Sequence, residues 1–91
     1  MGRKFITAYT KKYNMAPDSW AGVGYSMMLI TANAIKTAGP NPSRDAVRAA
    51  MAKTNKLPVV IGQGTFTLDN DRIPSFGAAV LTIKDGKFVQ P

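Results

Sequence analysis

The chain has 91 residues, 45% of them hydrophobic, and twelve basic residues against five acidic ones give a net charge of +7. That length allows one domain with a thin core, and the apolar content is too high for a disordered tail. There is no cysteine and no histidine, which excludes disulfides, thiolate zinc sites, thiol nucleophiles, and the commonest general base and metal ligand.

The opening Met1-Gly2-Arg3-Lys4 lacks the apolar core of a signal peptide, so any export signal is expected on sequence not present in this chain. Phe5, Tyr9 and Tyr13 recur every four residues beside Ile6, with Lys4 and Lys11 on another face. This spacing predicts an amphipathic helix over about 3–14. Pro17 then bars its neighbour from helical geometry. Asp18 or Ser19 can cap a second helix over 19–38, closed by Gly39 and Pro40.

This second helix is apolar on most of its circumference. Trp20, Val23, Met27, Ile30 and Ala34 mark one stripe, and Met28, Leu29, Ala32 and Ile35 another, so burial on most sides is expected. Gly22 and Gly24 are expected where another backbone comes close. The uncharged run from Ser19 to Ile35 is shorter than the ~20 apolar residues of a membrane span. Ser43 caps a third helix over 43–54, with Asp45 suited to its first turn and Val47, Ala50 and Met51 as its buried stripe. The methionines Met15, Met27, Met28 and Met51 are read as gap-filling core residues.

From Leu57 the pattern changes to strand. Val59, Val60 and Ile61 are β-branched, and Thr65-Phe66-Thr67-Leu68 alternates polar and apolar. Strands are predicted at about 58–61, 64–68, 78–84 and 87–90. Asp69-Asn70-Asp71 is a turn, and Asp85-Gly86 is a two-residue hairpin loop of type I′. The fold class is α/β: three helices followed by a short β-sheet with a C-terminal hairpin.

Catalytic chemistry finds little support. The five aspartates, Asp18, Asp45, Asp69, Asp71 and Asp85, each fall at a helix start or turn, where capping accounts for them. Asp69 and Asp71 lack the glycine and distal glutamate of a calcium loop, so no metal is expected. Gly62-Gln63-Gly64 is followed by no Lys-Ser/Thr pair and reads as strand-entry glycine. Ser19, Ser26, Ser43 and Ser75 have no histidine to activate them. No catalytic residue and no cofactor is therefore assigned. The basic residues run from Arg3 to Lys87 without concentrating. A small basic module for nucleic acid or another polyanion is the alternative function, but no recognised module accompanies the charge and no nucleic acid is expected.

The order of the pieces carries a resemblance. The run Phe5 to Tyr13, then Pro17-Asp18-Ser19-Trp20-Ala21 and Gly24-Tyr25, leads into the long helix ending Ala34-Ile35-Lys36-Thr37-Ala38-Gly39. Val47-Arg48-Ala49-Ala50-Met51 and Gly64-Thr65-Phe66-Thr67-Leu68-Asp69 follow, then the ending Val80 to Val89. Together they resemble the closing region of the branched-chain amino-acid-binding family, the type I periplasmic binding proteins of ABC transporters. The resemblance covers nearly all of this chain and about the last quarter of a family member. Two departures stand out. Ser26 occupies a position where members commonly carry an acid, and the turn Asn70-Asp71-Arg72 has no glycine.

The resemblance implies that the chain is a partial domain, the C-terminal segment of one lobe of a two-lobed receptor. It implies a periplasmic location, a small ligand such as an amino acid held between the lobes in the full-length protein, and a membrane permease as partner. Trp20 corresponds to a family position that can line the ligand cleft. The apolar helix pattern gives it the other reading, a core residue. Two short helices and a few strands cannot surround the long helix, so a homodimer of the isolated chain is expected, with Trp20, Met27 and Ile30 meeting their copies.

Overall fold

A computed structural model describes residues 1–91. Its helices are α1 (Gly2–Tyr13), α2 (Ser19–Ala38) and α3 (Arg44–Ala52). Its strands are β1 (Leu57–Pro58), β2 (Thr65–Leu68), β3 (Pro74–Ser75), β4 (Thr82–Lys84) and β5 (Lys87–Val89). The helix ends follow from local chemistry. Asn14 takes a left-handed conformation after α1, and its N–H donates to the Thr10 carbonyl. Asp18 and Ser43 each accept a bond from the backbone N–H three residues on, at 2.8 and 3.1 Å.

The strands depart from the sequence reading in three places. The segment expected as a strand at 58–61 is sheet only at Leu57–Pro58, paired antiparallel with Phe66 and Thr65. Val59 and Gly64 instead close a tight turn, with the Val59 N–H donating to Gly64 O at 2.9 Å and the Gly64 N–H to Ile61 O at 3.0 Å. The strand expected at 78–84 begins only at Thr82, because residues 78–81 find no neighbouring strand. An unexpected strand, β3, pairs antiparallel with β2. There are thus two separate sheets: one ordered β1-β2-β3, and the β4-β5 hairpin.

The core is small. Ile30, Val59 and Phe66 form its buried centre, with Met51, Leu57, Ile61 and Leu68 packed around them. On α2 the buried line is Gly22, Ser26, Ile30 and Ala34, one residue per turn. This corrects the expected stripes: of the apolar positions named, Ile30 and Ala34 are buried, while Trp20, Val23, Met27, Met28 and Ile35 are exposed. A helix buries the face that other elements cover, and this chain covers one. The methionine reading fails for the same reason at Met15, Met27 and Met28, all exposed; Met51 alone of the four packs on the core.

The expected backbone approach at the α2 glycines is absent. A Cβ on Gly24 would meet nothing within 4 Å, and one on Gly22 would make ordinary contact with Ile61 and Val60 side chains. The close approach occurs at Gly62 instead. A Cβ there would collide with the carbonyl oxygen of Phe76, because the loop carrying Gly62 crosses the segment after β3. Gln63 secures the crossing: its N–H donates to Phe76 O at 2.9 Å and its side-chain amide to Ala78 O at 3.3 Å.

Candidate functional site

The start of α2 gathers what the chain offers for recognition. Asp18 is extended, and its carboxylate accepts the Ala21 N–H, which orients the first helical turn. Trp20 sits on that turn, 80% exposed. The core reading of Trp20 is therefore overturned in this chain: no other element reaches the side of α2 on which the indole lies. A large aromatic ring left in water on a rigid, capped turn is unusual for structural reasons alone and is suited to meeting another surface.

Beside this turn lies an open cavity of about 700 Å³. Its walls include Phe5 and Ile6 of α1, Val23 of α2, and Val60 and Ile61, with Asp18 at its edge. A second cavity of about 470 Å³ runs between α1 and α2, lined by Phe5, Tyr9, Tyr13, Tyr25 and Met28. Its aromatic rings form a ladder: Phe5 lies 4.7 Å from Tyr25 and 5.8 Å from Tyr9, and Tyr9 lies 4.6 Å from Tyr13. Trp20 lines neither cavity.

The one carboxylate lining these spaces, Asp18, is committed to holding the fold, as the cap of α2. Away from both cavities, Asp69 accepts the N–H groups of Asp71 and Ile73, both at 2.8 Å, and so shapes its turn. No group of three or more His, Cys, Asp or Glu side chains comes together. No helix is long and apolar enough to cross a membrane. What remains is apolar wall and aromatic ring: surfaces that can pack against a ligand or a protein face but supply no placed pair of polar groups.

Sequence reasoning noted Ser26 as a departure from the family pattern and missed its part in the packing. The residue is fully buried, and its hydroxyl accepts the Val60 N–H at 3.2 Å. A serine midway along an otherwise apolar helix is the signal that could have shown it.

Comparison with known proteins accords with this geometry. Residues 2–87 match the family model described as periplasmic binding protein. Among solved structures, the chain is similar to a proposed branched-chain amino acid ABC transporter from Rhodospirillum rubrum. The TM-score is 0.84 at 28% identity, over 96% of this chain and 25% of that one. A leucine binding protein, LivK, from Thermotoga maritima shares the fold with a TM-score of 0.78 at 23% identity, over 97% of this chain and 24% of that one. The chain thus spans about a quarter of the length of the solved structures it matches. No curated protein matches it.

Proposed function

Since the chain belongs to the periplasmic binding protein family, we propose that it is a segment of the substrate-binding component of an ABC transporter. Its ligand class is branched-chain amino acids or similar small solutes, and its role is binding without catalysis. The observation that carries this reading is the match over residues 2–87, together with the agreement in fold across 96% of the chain with the Rhodospirillum rubrum structure. The family supports a periplasmic location and delivery of the ligand to a membrane permease.

Within such a receptor Trp20 supplies one wall of the ligand cleft. Its place on the capped first turn of α2 and its full projection into solvent support that role. The cavities of this chain are apolar and open on one side, whereas a small-molecule site needs opposing walls and placed polar groups. The ligand's charged ends are therefore gripped by residues outside this chain, and the isolated chain does not bind free amino acids usefully.

A chimera tests the reading. The corresponding last quarter of the Rhodospirillum rubrum protein is replaced by this chain, and calorimetry is run with leucine, isoleucine and valine on the chimera and on the chain alone. Binding by the chimera and none by the isolated chain is the expected result. A folded chimera that binds none of the three while the parent does, or micromolar binding by the chain alone, overturns it.

A further inference from the structure

The five aspartates stand at helix starts and turns. They differ in how firmly two groups are held: the side-chain carboxyl and the backbone N–H of the next residue. The Asp18 carboxylate accepts the Ala21 N–H, and that of Asp69 accepts the N–H groups of Asp71 and Ile73, all at 2.8 Å. Asp45 is followed by Ala46, whose N–H donates to Ser43 Oγ at 3.1 Å. Asp71 is followed by Arg72, whose N–H donates to Asp69 O at 3.0 Å. At Asp85 both groups are free. Its carboxylate accepts no hydrogen bond, and the Gly86 N–H donates to no acceptor. Asp85 is also the one aspartate followed by glycine, and a Cβ on Gly86 would meet nothing within 4 Å.

We propose that Asp85 is a site of spontaneous modification, at which the chain isomerises to an isoaspartyl linkage. The Gly86 nitrogen attacks Cγ of the protonated Asp85 carboxyl. A C–N bond forms, a C–O bond breaks, and the hydroxyl leaves with the N–H proton as water. The product is a five-membered succinimide. Water then adds to one of the two imide carbonyls. Opening at Cγ restores aspartate, and opening at the backbone carbonyl leaves the main chain running through Cβ. One water is released and one is consumed, so no other reactant is needed. Glycine favours the attack because it has no side chain beside the nucleophilic nitrogen.

The hairpin lets the ring close. Bringing the carboxyl onto the Gly86 nitrogen requires the turn to open, and a two-stranded ribbon is marginal in water. Strand β4 is exposed throughout, and in β5 only Val89 is half-buried, so opening here does not disturb the core. The product cannot return to the same pairing. An isoaspartyl residue lengthens a two-residue loop by one backbone atom, and loop length fixes hairpin register. The pairs Lys84 with Lys87, Ile83 with Phe88 and Thr82 with Val89 are therefore lost, while the core of Ile30, Val59 and Phe66 stays closed.

The modification is local and does not rest on the receptor reading, whose chimera test is separate. The chain is aged in warm neutral buffer, and isoaspartate is located by electron-transfer fragmentation and counted with an isoaspartyl-specific carboxyl methyltransferase. It is expected to accumulate at Asp85 and at none of the other four aspartates, and Gly86→Ala is expected to slow it several-fold. Asn70→Gly separates the structural cause from the sequence cause, because it sets a glycine after Asp69, whose carboxylate is engaged. In the folded variant, checked by circular dichroism, Asp69 is expected to isomerise several-fold more slowly than Asp85, and in urea at a similar rate. Aged chain is expected to lose amide protection at Lys84 and Lys87 and to keep it at Ile30. An Asp85 as stable as the other aspartates overturns the proposal. So does an unchanged rate in Gly86→Ala, or an Asp69 that keeps pace with Asp85 in folded Asn70→Gly.

Discussion

The buried hydroxyl of Ser26 accepts a hydrogen bond from the backbone N–H of Val60 at 3.2 Å, and this bond ties the middle of α2 to the loop that carries the core residue Val59. It explains why a segment of three β-branched residues forms no strand. The Val60 N–H is taken by a helix side chain, and the Val59 N–H is taken by the turn at Gly64. A carboxylate in place of Ser26 would be fully buried and would need a charged partner.

Ser26→Ala should therefore destabilise the chain by about 1–3 kcal/mol, the cost of leaving a partly buried N–H without its acceptor. Urea unfolding of the two proteins side by side measures it. A shift near zero would mean that water reaches Val60.

Two glycine substitutions should act with opposite sign. Gly62→Ala places a methyl against the Phe76 carbonyl at a positive φ of 57°, so the loop crossing must open and stability should fall by more than ~1 kcal/mol. Gly22→Ala meets only the side chains of Ile61 and Val60 at ordinary contact distance, and the gain in helix propensity should stabilise by about 0.5–1 kcal/mol. Thermal unfolding of both variants decides whether the close approach has been placed at the right glycine.

The β4–β5 hairpin turns on Asp85 and Gly86, at φ of 52° and 74°, both positive as a type I′ turn requires. Nothing surrounds Gly86, so Gly86→Val carries a backbone cost alone. A two-stranded ribbon is marginal in water, and here only Val89 is even half-buried. The variant should lose amide protection at Thr82, Lys84, Lys87 and Val89 while the core residue Ile30 keeps its own. Equal loss at Ile30 would show the hairpin to be part of the main folding unit.

Helix α1 has no buried residue, and Phe5 on Tyr25 is its closest aromatic contact with α2, at 4.7 Å. A helix of 12 residues is marginal by itself. Tyr25→Ala should therefore reduce far-UV helical signal by about the share of α1 and speed amide exchange there, with α2 and α3 little changed. Full retention of the α1 signal would mean that the other groups around its cavities suffice to hold it.

In the receptor chimera, Trp20→Ala should weaken leucine binding about tenfold or more, the free energy of an aromatic wall lost from an apolar pocket. Because Trp20 is exposed in this chain, the same change should leave the unfolding of the isolated chain within ~0.5 kcal/mol. Weakened binding together with lost stability would mark Trp20 as a packing residue instead.

The elements built by neighbours in sequence were legible without coordinates. Asp18 and Ser43 start helices because each side chain reaches a backbone N–H three residues away, and Gly39 ends α2 because its φ of 91° suits glycine. Asp85-Gly86 reverses the chain for a reason contained in two residues. These signals span at most about one helical turn, so the order of residues alone places the helices and the last turn. Burial is settled by whatever stands opposite, and that lay beyond its reach. Packing had to settle that α2 buries the line of Gly22, Ser26, Ile30 and Ala34, that Val59 to Ile61 lean on a helix, and that Trp20 faces water. An apolar helix has several faces of nearly equal hydrophobicity, and the face that goes inward here is the one against which Val59, Phe66 and their neighbours pack.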